Sequence, residues 1–220
     1  MPNKTFDHLP NEKKEAVIRA ALREFTAHDF TSASLNDIIA GIGIAKGSFY
    51  RYFNKKQELY DYLISYGLEK KIQYVKRGKE PADDLFQLIQ RMVGSYIQFN
   101  LENAELAAFM QKAAGENTAV RDDYLFLKNG RKILSGKIKE SQERGMISTR
   151  FSEDFVFFCI SQLLMGSSDY IKNKYLRERD ISEYLLHPSD DQIKEGIVLH
   201  YQQLVEFLKN GFESSEENKK

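Results

Sequence analysis

The 220-residue chain has one cysteine, four prolines and no net charge, its 32 basic residues being matched by 32 acidic ones. A lone cysteine forms no disulfide within the chain, and the place of Cys159 inside an apolar run marks it as a core residue suited to a reducing compartment. No apolar stretch approaches the ~20 residues that span a bilayer, and the opening MPNKTFDHLP lacks the apolar segment of a secretion signal. A cytoplasmic protein with no membrane partner is expected. Balanced charge excludes a polyanion-binding surface spread over the whole molecule, so any basic patch is local. His8, His28, His187 and His200 have no metal-ligand spacing, and neither a glycine-rich phosphate loop nor a nucleophile elbow occurs. The expectation is therefore no metal, no cofactor and no catalytic residue, which makes an enzyme the weaker class of reading.

What is present is helical periodicity. The prolines stand at 2, 10, 81 and 188, where elements begin or end. Ile18, Ala21, Leu22 and Phe25 recur at steps of three and four, which predicts an amphipathic helix over residues 11–27. Asp29 and Phe30 form a corner, and Ser34, followed by Asp37, caps a two-turn helix that ends at Gly41. A third short segment runs from Ala45 to Tyr52, and Asn54 is placed to cap a longer helix from Lys55. Further helices are predicted at about 55–78, 82–101, 104–114, 118–144, 153–176 and 190–210, with Gly145 as a stop and Ser152 as a restart. No strand-like alternation competes, so the fold expected is all-α with about nine helices. Its domains would be 1–54, 55–212 and a polar tail at 213–220.

Within residues 45–60, Lys46, Arg51, Lys55 and Lys56 face only Glu58, a net charge of +3 in a short segment. The surrounding stretch, residues 34–60, has the logic of a helix-turn-helix. One short helix braces across the DNA backbone while the next enters the major groove. Leu35, Ile38 and Ile39 face inward on the first helix, Ile44 closes the turn, and Phe49 and Phe53 anchor the second. Lys46, Gly47, Ser48, Tyr50 and Arg51 are left facing outward, a set suited to phosphate and base-edge contact. Lys55 and Lys56 lie in the first turn of the next helix, where exposed amides also favour a phosphate.

This segment resembles the N-terminal region of the TetR family of bacterial regulators. The resemblance is carried by Ile18, Ala21 and Phe25, then Asp29-Phe30, then Ser34 to Ile39. It continues through Gly43-Ile44-Ala45-Lys46-Gly47-Ser48-Phe49-Tyr50 and ends on Phe53-Asn54-Lys55-Lys56-Gln57-Glu58-Leu59. It implies that Ser34 and Tyr50 hold phosphates, that positions 45 to 48 and Arg51 face bases or backbone, and that Lys56 is a phosphate lysine. Three positions depart from the family pattern: Asp29 replaces a glycine, Ala33 a threonine, and Ala45 the serine or threonine that would cap the recognition helix. A missing cap costs about 1 kcal/mol.

A looser likeness continues through Glu143-Arg144-Gly145-Met146-Ile147 into FSEDFVFFCISQLLMG. By that likeness the remainder of the chain forms a homodimer and binds a small-molecule effector, and double-stranded operator DNA is released when the effector binds. Met165, Gly166, Ile197, Tyr201 and Leu204 are the candidates for the dimer interface, with an intrachain core as the alternative for each. Tyr66, Phe86, Tyr96, Phe99, Phe109, Tyr124, Phe158 and Gln162 are candidates for an effector pocket, again with the core as alternative. No arginine or acidic cluster specifies a charged effector, so a mostly apolar one is expected. The competing functional readings are a transcriptional activator of the same fold, or a helical adaptor with altered DNA binding.

Overall fold

The apolar stripes seen in the sequence become helices in the computed structural model, which describes residues 2–77, 82–116, 128–175 and 191–213. Among these residues there are ten helices. A one-turn helix that the sequence did not announce, Lys4–Asp7 (α1), precedes Asn11–Ala27 (α2). Leu35–Ile42 (α3), Lys46–Tyr50 (α4) and Lys56–Arg77 (α5) follow, then Leu85–Glu102 (α6) and Ala104–Glu116 (α7). Lys128–Glu143 (α8), Glu153–Tyr175 (α9) and Asp191–Phe212 (α10) complete the set. The expected helix over 118–144 is described from Lys128 onward; its first residues, including Tyr124, lie outside the described residues.

Local chemistry sets the ends of these helices. The Ser34 hydroxyl accepts the Asp37 N–H at 3.2 Å, while the Ser34 N–H donates to the Glu24 carboxylate of α2 at 2.7 Å. The capping box anticipated around Asp37 is thus completed by a carboxylate from a neighbouring helix. Gly43 closes α3 at φ +74°, a left-handed conformation that strains any residue with a Cβ. Gly145 plays the same part after α8 at φ +67°, and the Ser152 hydroxyl accepts the Phe155 N–H to open α9. Helix α6 begins later than expected because Asp84 caps it, accepting the Gln87 N–H at 2.8 Å.

The head, α1 to α4, joins the body through α2, which packs on α3, α5 and α7. Helix α6 is central to the body and touches α5, α7, α8 and α10, while α9 packs between α8 and α10. One continuous core links the two parts. Phe25 of α2 meets Tyr60 of α5 at 5.0 Å and Phe109 of α7 at 6.2 Å, and Tyr60 meets Phe109 at 5.2 Å. At the far end, the Ser148 N–H donates to the Phe212 carbonyl, tying the loop after α8 to the last helix. Among the described residues no helix is long and apolar enough to cross a membrane.

Candidate DNA-binding surface

Helix α4 has only five residues and cannot persist unaided, since an isolated helix this short lies far below the length at which helices become stable. Tertiary packing fixes it instead. Phe49 and Phe53 are fully buried, with rings 5.8 Å apart, and Phe53 continues the contact to Phe6 at 4.9 Å. Phe6, on the one-turn α1, also reaches Tyr62 of α5 at 5.0 Å. The N-terminal arm then caps α4 from behind: the Asn3 N–H donates to the Tyr52 carbonyl at 2.9 Å and its side-chain amide to the Arg51 carbonyl at 3.3 Å. Sequence reasoning passed over this arm. Its signal was Phe6 standing among polar residues just before the helix-starting Pro10.

With one face of α4 fixed, the other is exposed. Ala45, Lys46, Gly47, Tyr50 and Arg51 face solvent and Ser48 is half-buried. Ala45 occupies the N-cap position in an extended conformation, and its side chain makes no cap bond. A Cβ placed on Gly47 meets nothing within 4 Å, and Gly47 is not among the positive-φ glycines, so nothing in the protein itself requires glycine there. The hydroxyl of Ser34 accepts one cap bond at the start of α3 and still carries a proton to donate.

The two lysines beyond the turn differ. Lys55 is exposed, whereas the Lys56 ammonium donates to the Ala33 carbonyl at 2.8 Å and the Thr31 carbonyl at 3.2 Å, and lies 4.8 Å from the centroid of Phe30. Lys56 therefore braces the loop between α2 and α3. Lys112 of α7 holds the same corner from its other side, donating to the Thr26 carbonyl at 3.1 Å and pairing with the Asp29 carboxylate at 3.3 Å. The aspartate that replaces the family's glycine thus gains an ion pair to the body. Asn54 does not cap α5 as expected: its N–H and side-chain amide both donate to Glu58, one turn into the helix. Those hydrogen bonds, the backbone one first, hold the Glu58 carboxyl below its ordinary value.

The remaining candidates fall into two groups. Phe86, Phe99 and Phe109 are buried, and Tyr66 and Tyr96 are partly buried against the core. Phe158 and Gln162 point outward from α9, with Phe158 55% exposed, so they stand on the surface of the chain instead of lining its interior. Of the proposed interface residues, Gly166 is exposed and Met165 and Ile197 are partly buried. Tyr201 and Leu204 turn inward because that face of α10 packs on α6 and α9; Tyr201 meets Tyr96 at 6.4 Å.

A short, tertiary-braced helix with an outward basic and hydroxyl face, preceded by a capped helix and a glycine turn, has the geometry of a DNA-binding helix-turn-helix. Residues 17–63 match the family described as bacterial regulatory proteins, tetR family, over about a fifth of the chain. Two Bacillus subtilis proteins, both uncharacterized HTH-type transcriptional regulators, are similar in sequence. YerO is 29% identical over 40% of this chain and YhgD is 23% identical over 62% of it. Those alignments span 31% and 72% of the two relatives' own lengths. The fold is that of a TetR family transcriptional regulator from Chloroflexus aurantiacus, with a TM-score of 0.75 and 24% identity, covering 98% of this chain and 100% of that one.

Proposed function

We propose that the protein is a homodimeric repressor whose head, residues 1–54, binds a near-palindromic operator and whose body, residues 55–212, releases it when a small effector binds. The observation that carries this is the face of α4: packing uses only Phe49, while Lys46, Gly47, Tyr50 and Arg51 are left to solvent around a glycine with open space beside it. Base edges would be read from Lys46, Ser48 and Arg51, and phosphates held by Ser34, Tyr50 and Lys55, with Lys56 adding its remaining N–H.

Pairing is supported by an apolar surface on the last two helices. Phe155, Phe158, Leu163 and Tyr170 of α9, with Leu199 and Phe207 of α10, are exposed large apolar residues on neighbouring helices. A twin subunit covering them would supply a second α4, and reading two half-sites requires the pair to stand one DNA turn, ~34–36 Å, apart. The switch would run through α5, which carries the Lys56 brace at one end and packs on α6 and α7 along its length. An effector favouring a body conformation with a different spacing of the heads weakens DNA binding, and DNA reciprocally weakens effector binding.

Footprinting on the DNA upstream of the gene, combined with a salt titration, tests the reading. A protected near-palindrome is expected, and Tyr50→Ala should weaken binding to all sequences while leaving the salt dependence unchanged, because a neutral hydroxyl is lost and no charge. Absence of any protected site from the dimeric protein favours the adaptor alternative.

A further inference from the structure

Helix α4 ends without the glycine that commonly stops a helix. Arg51, at its C-cap, stays right-handed at φ −74° and ψ −17°, and no left-handed glycine follows it. The carbonyls of Arg51 and Tyr52, which a helix end leaves without intrahelical partners, accept from Asn3 instead, the first from its side-chain amide at 3.3 Å and the second from its N–H at 2.9 Å. Asn3 itself stands at the N-cap of α1 in extended backbone, where an asparagine side chain ordinarily accepts a cap bond; here it makes none to α1. Its amide serves α4 and not its own helix. Phe6, fully buried, forms a closed triangle with Phe53 and Tyr62, the three ring separations being 4.9, 5.0 and 5.7 Å. Tyr62 belongs to α5, so the triangle ties the segment after α4 to the helix that leads into the body. The other end of the arm is held by α2, whose Lys14 ammonium donates to the Asp7 carbonyl at the end of α1 at 2.6 Å.

Within α4 itself Phe49 is the buried residue, and one ring fixes a point on a five-residue helix but not its angle. The two bonds from Asn3 and the ring triangle to α5 fix the angle. We propose that Asn3 and Phe6 are positioning residues for operator recognition: the arm is a strut that sets the orientation of α4 against α5, and with it the register of Lys46, Ser48 and Arg51 on the bases. This rests on reading α4 as the DNA-reading helix, and it assigns part of the specificity to residues outside the helix-turn-helix. Phosphate contacts tolerate a small rotation of α4, because long cationic side chains can follow the backbone charge. Base-edge hydrogen bonds do not, since they weaken steeply as their angle departs from linear. Loss of the strut therefore falls on sequence-specific binding and spares the sequence-independent part.

The test uses the full chain, the DNA fragment protected in the footprint and a random-sequence duplex of equal length, with both affinities measured over a range of salt. Asn3→Ser keeps a good cap for α1 and changes no charge, but its side chain is too short to reach the Arg51 carbonyl. Its affinity for the protected fragment should fall roughly fivefold, while its affinity for the random duplex and both salt slopes stay at the native values. Phe6→Ala should narrow the ratio of the two affinities further, and Phe6→Leu, which refills most of the buried space, should restore much of it. If Phe6→Ala does not fold, Asn3→Ser decides alone. An equal loss on both duplexes, or no loss on either, overturns the proposal and leaves the helix-turn-helix reading standing. If the native protein protects no fragment, both fall.

Discussion

In the head, Lys46, Arg51 and Lys55 stand in solvent; in the body, Lys71 is enclosed by the rings of Phe99 and Tyr96. The exposed cations cost little to place, because water solvates them until a phosphate replaces it, and their use depends on spacing along one short helix. The half-buried cation has given up part of its water on folding, so its surroundings depend on which helices meet around it. Between these extremes sit Lys56 and Lys112, each reaching from the body to the corner between α2 and α3. They make the head an extension of the body's helices α5 and α7, which is what a sensor needs if a change inside is to move a helix outside.

That continuity is most severely tested at the aromatic junction. Phe109→Ala removes a ring packed on both Phe25 and Tyr60, and such a deletion costs about 3–5 kcal/mol. Head and body should lose stability together in a single thermal transition. Two separated transitions, one of them unshifted, would break the coupling and leave the comparison as one between independent domains.

The two lysines at the start of α5 offer a finer cut. Lys56→Ala removes charge-assisted bonds to two carbonyls and should cost about 1–3 kcal/mol of stability as well as DNA affinity. Lys55→Ala should leave stability within about 0.5 kcal/mol while reducing the salt slope of DNA binding by about one. Denaturation and salt titration of both variants separate bracing from contact; identical behaviour would mean that the Lys56 brace contributes nothing.

The same contrast explains what could be read from the sequence. Much of the head was legible, because Ser34, Phe49 and Phe53 act through local rules of capping and period, although α3 runs past the expected stop at Gly41 to Ile42 and is closed by Gly43. What escaped there were contacts closed over long separations: the docking of Asn3 and Phe6 behind α4, and Glu24 supplying the second half of the Ser34 cap. In the body the helices were legible but their faces were not. Tyr201 and Phe207 are both large and aromatic on one helix, yet one is buried and the other 66% exposed. Only the packing of α10 on α6 and α9 decides between them. Lys71 stands in register with Tyr60, Leu63 and Gly67, a signal that helical spacing alone carries.

Lys71 also makes stability depend on pH. Its amine titrates below 10.5 in the folded chain, so the unfolded chain binds the proton more tightly. Stability should rise as pH climbs from the folded value toward 10.5, by at most about 1.4 kcal/mol per pH unit. Below both values the penalty is constant. Subtracting the profile of Lys71→Met from that of the native protein isolates this group, and a flat difference would place Lys71 in the same solvated class as Lys55.

At Gly47 the expected change in stability is a small gain. Its φ is not positive, its missing Cβ has open space, and it lies in the exposed first turn of α4, so Gly47→Ala should stabilise the fold by up to about 1 kcal/mol. A glycine that the fold does not need is explained if another molecule approaches its backbone closely. The same substitution should therefore weaken operator binding, with the loss independent of salt, since it arises from a methyl group against the DNA and not from a lost charge. A protein that is more stable and binds equally well would remove Gly47 from the contact surface and shift the reading of DNA toward Lys46 and Arg51. A protein that is more stable and binds worse would separate folding from function within one helical turn, which the enclosed residues of the body cannot do.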